Sequence, residues 1–111
     1  MPKLLRSLTA EFVGTLLFVF LGAGSVVAFI ANGPTTGSIG PLGVALAHGV
    51  GMAVIVSMTM SISGGHMNPA RAIGPALVAW QWNAHAVYWI GPVIGAGVAA
   101  LLWRIVLLPR R

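Results

Sequence analysis

The sequence predicts an all-α integral membrane protein with three transmembrane helices plus one re-entrant half-helix. Three observations predict it. Of 111 residues, 58% are hydrophobic and only 6% charged, against roughly 25% charged in an ordinary soluble domain. Three apolar runs are each long enough to cross a bilayer core about 30 Å thick, which takes about 20 helical residues. Between the second and third lies a shorter apolar run that opens on glycines and a proline. The same figures exclude a soluble globular fold, a disordered tail and a coiled coil.

The first span covers residues 8–31. Lys3 and Arg6 ahead of it resemble the start of a secretory signal, but the run exceeds the usual apolar core of roughly 7–15 residues and carries Glu11. Residues 32–41, NGPTTGSIGP, are uncharged and rich in turn formers, which makes a polar connection. The second span covers 42–62 and is interrupted in polarity by His48, Ser57 and Thr59.

Residues 63–80, SGGHMNPARAIGPALVAW, cannot span. From Pro69 to Trp80 an α-helix reaches about 18 Å, little more than half the hydrocarbon core. Asn68 is a favoured N-cap, and Pro69 suits the first helical position, where its missing N–H is no loss. The expectation is a half-helix over about 69–80 that begins inside the membrane. Its irregular lead-in, 63–67, must line a polar cavity or be buried in protein, because lipid cannot satisfy bare backbone.

After a short polar link at 81–85, the third span covers 86–108 and ends at Pro109, Arg110 and Arg111. Trp80, Trp82 and Trp89 cluster near one end and Trp103 near the other, as membrane-anchoring aromatic belts would. Gly91 and Gly95, with Gly97 nearby, form a small-residue pair for close helix packing, within the chain or between protomers. No internal repeat is visible, so residues 1–111 read as one unit.

The net charge of +5 comes from Lys3, Arg6, Arg71, Arg104, Arg110 and Arg111 against Glu11 alone. Most lie near the two ends, where such residues meet phospholipid headgroups. No basic face with interleaved aromatics exists, so nucleic acid is not an expected partner. The lack of cysteine excludes disulfides, thiolate chemistry and thiolate-held metals. His48, His66 and His85 lack the spacing of a metal site, and a lone glutamate makes no acid–base pair. Neither a cofactor nor an enzymatic activity is expected.

The half-helix carries the chemistry. Its N-terminus presents unpaired N–H groups and about half a positive charge, and the carbonyls of 63–67 can form a ladder of acceptors. Asn68 stands where the two meet. Such a lining suits a small polar solute and repels cations; the competing reading is a capped helix start in a buried loop. An arginine at the centre of a membrane helix costs about 2.5–3.5 kcal/mol on insertion scales, so Arg71 is expected to face water or a partner. His48 lines a pore or hydrogen-bonds a neighbouring helix.

Asn68-Pro69-Ala70-Arg71, inside SGGHMNPARAIGPAL, resembles the signature loop of the major intrinsic proteins, the aquaporins and glycerol facilitators. Ala10-Glu11-Phe12-Val13-Gly14-Thr15 resembles the opening helix of that family, and Trp89-Ile90-Gly91-Pro92 its closing helix. Family members have six spans and two such loops in inverted repeats. The resemblance therefore implies half of an aquaporin-like inverted-repeat fold. The loop also blends the repeats: Ile62-Ser63-Gly64-Gly65-His66 is similar to the first, whereas Arg71 and Gly74-Pro75-Ala76-Leu77 are similar to the second.

Two copies related by a two-fold axis in the membrane plane would supply six spans and two opposed half-helices. The implied partner is a second copy in an inverted, antiparallel homodimer, open to assembly into a larger ring. Lys3, Arg6 and Arg71 fall on one face and Arg104, Arg110 and Arg111 on the other, so the positive-inside bias is close to nil and insertion both ways is expected.

The family's constriction maps onto His48, Val56, Gly65 and Arg71, with Arg71, Gly65 and Val56 of one copy meeting His48 of the other. This set resembles the tonoplast-type branch. It implies a passive channel for water and small neutral solutes, with ammonia, urea and glycerol as candidates. In the family pattern Glu11 and His66 brace the loop; proton coupling is the alternative for Glu11. The rival functions are a dual-topology proton-coupled small-molecule exporter and a non-conducting membrane scaffold. Small multidrug-resistance exporters share the length and a first-span glutamate, but have four spans and lack the signature at 64–71. The expected location is the plasma (inner) membrane, as a multi-pass protein in contact with lipid.

Overall fold

The computed structural model describes residues 2–33 and 40–108. Most of the polar connection expected at 32–41, and all of Pro109, Arg110 and Arg111, lie outside the described residues. Four helices follow in order: α1 (Lys3–Asn32), α2 (Gly40–Ser63), α3 (Pro69–Ala79) and α4 (Val87–Leu102), the last continuing into a π-helical turn at Trp103–Leu107. No strand occurs among the described residues. Three of the helices, α1, α2 and α4 with its π turn, are long and apolar enough to cross a membrane. The fold class is all-α, with three membrane-length helices and one half-length helix.

Most helix ends differ from the sequence expectation by one or two residues, and two of the differences have a clear local cause. α1 begins five residues early, at Lys3, because Leu4, Leu5 and Arg6 are all good helix formers. α3 stops at Ala79: Trp80 is left-handed (φ 50°, ψ 43°) and returns its N–H to the Ala76 carbonyl, which terminates the last turn.

α1 is the central helix, with α2 antiparallel on one side and α4 parallel on the other. The Ser7 hydroxyl donates to the Ile62 carbonyl at 3.2 Å, tying the start of α1 to the end of α2. Along α4, Gly91 meets Leu8 to Phe12, Gly95 meets Phe12 and Leu16, and Trp103 meets Phe20 and Gly24, so the two helices run in step. Both glycines are buried in this contact. A Cβ on Gly91 would come within 2.9 Å of the Glu11 Cβ, and one on Gly95 would collide with the Phe12 carbonyl oxygen. The small-residue pair thus serves packing inside the chain. Gly97 does not share it: nothing lies within 4 Å of where its Cβ would be.

Trp103 also has a packing role within the chain. Its indole N–H donates to the Phe20 carbonyl at 2.8 Å, its ring leans on that of Phe20, and it lies over Gly24. It ties α4 to α1. Trp80, Trp82 and Trp89, by contrast, are exposed around the turn from α3 to α4.

The surface is arranged for lipid. The chain exposes 7303 Å², whereas a soluble monomer of 11.5 kDa would expose about 5,800 Å². Leucine, isoleucine and valine side chains cover the outside, while Glu11, Thr15, Thr59 and Ser63 are buried. Large apolar side chains on the outside of three membrane-length helices, with a buried carboxylate between them, make the chain an integral membrane protein.

Candidate functional site

The site is built where the chain leaves α2. Gly64 and Gly65 take left-handed conformations (φ 91° and 60°), which cost little without a Cβ. At Gly65 a Cβ would also stand 3.1 Å from Thr59 Oγ1 and 3.4 Å from Val56 Cγ1. Met67 is left-handed as well, at φ 54°, although it carries a side chain that disfavours this region. Two contacts hold it there. Its N–H donates to Glu11 Oε2 at 2.6 Å, and its thioether packs on Gly14.

Glu11 is fully buried and accepts three hydrogen bonds: from the Ser63 hydroxyl at 2.8 Å, the His66 N–H at 3.0 Å and the Met67 N–H at 2.6 Å. A carboxylate out of water needs such donors, since an unpaired buried charge is costly. His66 meets it through its backbone. The imidazole Nδ1 is 3.7 Å from Glu11 Oε1 and has no hydrogen-bond partner; the ring packs on Tyr88 with centroids 4.1 Å apart. Tyr88 in turn donates its hydroxyl to the Ser63 carbonyl at 3.0 Å.

The half-helix starts on Asn68. Its backbone is extended, and Oδ1 accepts from the Ala70 N–H at 2.9 Å and the Arg71 N–H at 3.4 Å, satisfying two orphan donors of the first turn. With Oδ1 committed to the helix, the amide N–H groups of Asn68 point away and find no partner among the described residues. Arg71 Nη1 donates to the Gly65 carbonyl at 3.4 Å. Two carbonyls of the lead-in, Ser63 and Gly65, are therefore already engaged, and the acceptor ladder is shorter than the sequence suggests. Asn68, Ala70 and Arg71 are exposed, yet Met67 lies beside Gly14, about 16 Å of helix in from Lys3.

Val56, Gly65 and Arg71 are brought together, as are Glu11 and His66. His48 stands apart from both groups. It precedes Val56 by eight residues on α2, about 12 Å of helix. Its ring fits a notch over Gly22, where a Cβ would be 2.8 Å from Nε2, and meets Phe18 edge-on; Nδ1 is 2.8 Å from the Val44 carbonyl. Sequence reasoning singled out neither the Ser63 hydroxyl nor Tyr88. The available signal was chemical: a carboxylate in an apolar span must find donors, and Ser63 is the hydroxyl nearest the loop.

Comparison with known proteins adds a relationship to this geometry. The family model described as "Major intrinsic protein" matches residues 1–70 and 67–103. The two stretches overlap on Met67-Asn68-Pro69-Ala70, the start of the half-helix. The chain is 40% identical over 105 residues to "Aquaporin TIP2-2" of Zea mays, a match covering 92% of this chain and 42% of that protein. It is 41% identical over 108 residues to "Probable aquaporin TIP3-2" of Arabidopsis thaliana, covering 95% and 37%. With "Probable aquaporin TIP2-1" of Oryza sativa subsp. japonica it shares 39% identity over 104 residues, covering 91% and 42%. The chain spans about two-fifths of the length of these relatives.

Proposed function

This chain belongs to the major intrinsic protein family, and from that premise we propose that it forms a passive transmembrane channel for water and small neutral solutes. Ammonia, urea and glycerol are the candidate solutes, and two antiparallel copies build the pore. The observation that carries this reading is the exposure of Asn68 and Arg71 at the half-helix start, midway along α1, on a mostly apolar exterior. In a bilayer such groups face water or a partner. A water-filled path along α3 satisfies the unpartnered Asn68 amide and the guanidinium together.

Pairing follows from what one copy holds. The described residues hold a single half-helix, and an opposed one facing its exposed N-terminus would enclose a solute path. Val56, Gly65 and Arg71 form one side of a constriction, and His48 of an inverted copy supplies the other. Opposed half-helix dipoles, the Asn68 amides and the Arg71 charges would exclude protons. Residues 1–111 then act as one aquaporin-like half-repeat, with Asn68-Pro69-Ala70 as pore motif and Glu11 and His66 holding its loop. No bond is made or broken in this mechanism, so the protein is not an enzyme. The exporter reading needs a proton-carrying Glu11, and the three donors on that carboxylate speak against it. For the host membrane, the likeness to the tonoplast-type branch favours a vacuolar membrane over the plasma (inner) membrane.

Stopped-flow osmotic shrinkage of proteoliposomes tests the channel. The expected result is water flux above that of empty vesicles, altered by Arg71→Ala and not driven by a proton gradient. Flux equal to empty vesicles after verified insertion would sink it. Orientation is tested by labelling Arg104→Cys, in a chain that has no cysteine of its own. Equal labelling from both sides supports the antiparallel pair, and labelling from one side alone refutes it.

A further inference from the structure

A second polar feature lies beside the loop, at the end of the bundle where α1 begins. Lys3 and Arg6, one helical turn apart, join Ser61 and Ile62 at the end of α2 to line an open cavity of about 320 Å³. Neither cationic side chain has an ion-pair or hydrogen-bond partner among the described residues. No acid is available to them: Glu11, the single acidic residue of the chain, is buried two turns further on and held by the loop.

Ser61 is an independent sign. Hydroxyls in apolar helices ordinarily return to a backbone carbonyl. On α2, Ser57 donates to Ala53 and Thr59 to Ile55, while Ser63 donates to Glu11. Ser61 makes no such bond and stays exposed beside the two cations. Three donors thus line one opening, and none has an acceptor among the described residues.

We propose that this cavity binds the phosphate group of an anionic ligand. A planar guanidinium can grip two phosphate oxygens while the ammonium acts as a point charge, and the Ser61 hydroxyl offers a third donor. Ile62 supplies an apolar wall for whatever the phosphate is attached to. Basic pockets between spans near the membrane surface suit lipid headgroups, and this one opens where α1 enters the bilayer. A phosphate bound there bridges α1 and α2, which the Ser7–Ile62 hydrogen bond also ties together.

Native mass spectrometry of the full chain, released from nanodiscs of equal parts phosphatidylglycerol and phosphatidylcholine, tests the site. The expected result is an enrichment of retained phosphatidylglycerol on the order of fivefold. Lys3→Gln with Arg6→Gln should bring it to parity and Ser61→Ala should lower it about twofold, while Arg104→Gln on the far face leaves it unchanged. Unaltered helical circular dichroism shows that the variants still fold, and Arg6→Gln alone serves if the double variant does not. A parallel run in phosphatidylcholine nanodiscs with inorganic phosphate separates the sources. Phosphate adducts lost in the double variant, without lipid preference, assign a soluble phosphate; lipid preference assigns the headgroup. Neither signal in the native chain, or a preference that survives the double substitution, overturns the proposal.

Discussion

Glu11 and Met67 lie 56 positions apart in the chain, and the Glu11 carboxylate accepts the Met67 backbone N–H at 2.6 Å. The bond holds a left-handed methionine (φ 54°) directly before the half-helix, so α1 decides where Asn68 starts. Because the His66 N–H and the Ser63 hydroxyl converge on the same carboxylate, one side chain organises the whole re-entrant turn.

Glu11→Ala strands three donors, two buried and one partly buried, each costing about 1–3 kcal/mol when left unpaired. A loss of at least about 3 kcal/mol is expected in a denaturation titration with sodium dodecyl sulfate in micelles. Glu11→Gln keeps one acceptor oxygen and should lose about 1–3 kcal/mol. Equal stability of Ala and native proteins would remove Glu11 from this role.

Asn68 separates capping from conduction. Asn68→Ala removes the cap and should lower stability by about 1 kcal/mol. Asn68→Asp keeps an acceptor for the Ala70 and Arg71 N–H groups, next to the positive end of the half-helix, and should leave stability unchanged or raise it by about 0.3–1 kcal/mol. Both remove the outward amide donors, so water flux should fall in both. Full flux in the aspartate variant would show that only the cap matters.

At Gly95 a Cβ would run into the Phe12 carbonyl, which is backbone and cannot swing aside. Gly95→Val should force α1 and α4 apart and cost about 1–3 kcal/mol. Gly97→Ala, on the same helix but facing open space, should stay within about 0.5 kcal/mol of the native protein. Thermal unfolding in one detergent compares them directly.

Tryptophans at the two ends of α4 should behave differently. Trp103→Phe forfeits the hydrogen bond to the Phe20 carbonyl and should destabilise by about 1 kcal/mol in detergent. Trp80 is 75% exposed, so Trp80→Phe should be silent within about 0.5 kcal/mol in the same assay. Matching losses would mean that Trp103 acts only as a surface anchor.

The spans, the half-helix and its cap are legible in the chain, because they depend on apolar run length, on the fixed rise of a helix and on Asn-Pro at a helix start. The shortness of the run after Pro69 was legible for the same reason: 11 helical residues reach about 16 Å and no further. Where the polar groups go emerges only from packing. That Ser63 joins Glu11, that Tyr88 takes the Ser63 carbonyl, that Trp103 turns inward over Gly24 and that His48 stands two turns from Val56 all depend on how α1 meets α2 and α4. The approach of those helices is governed by missing side chains at Gly22, Gly24, Gly91 and Gly95. A glycine in a sequence leaves open which neighbour will occupy the space it vacates; that follows only when the helices are packed.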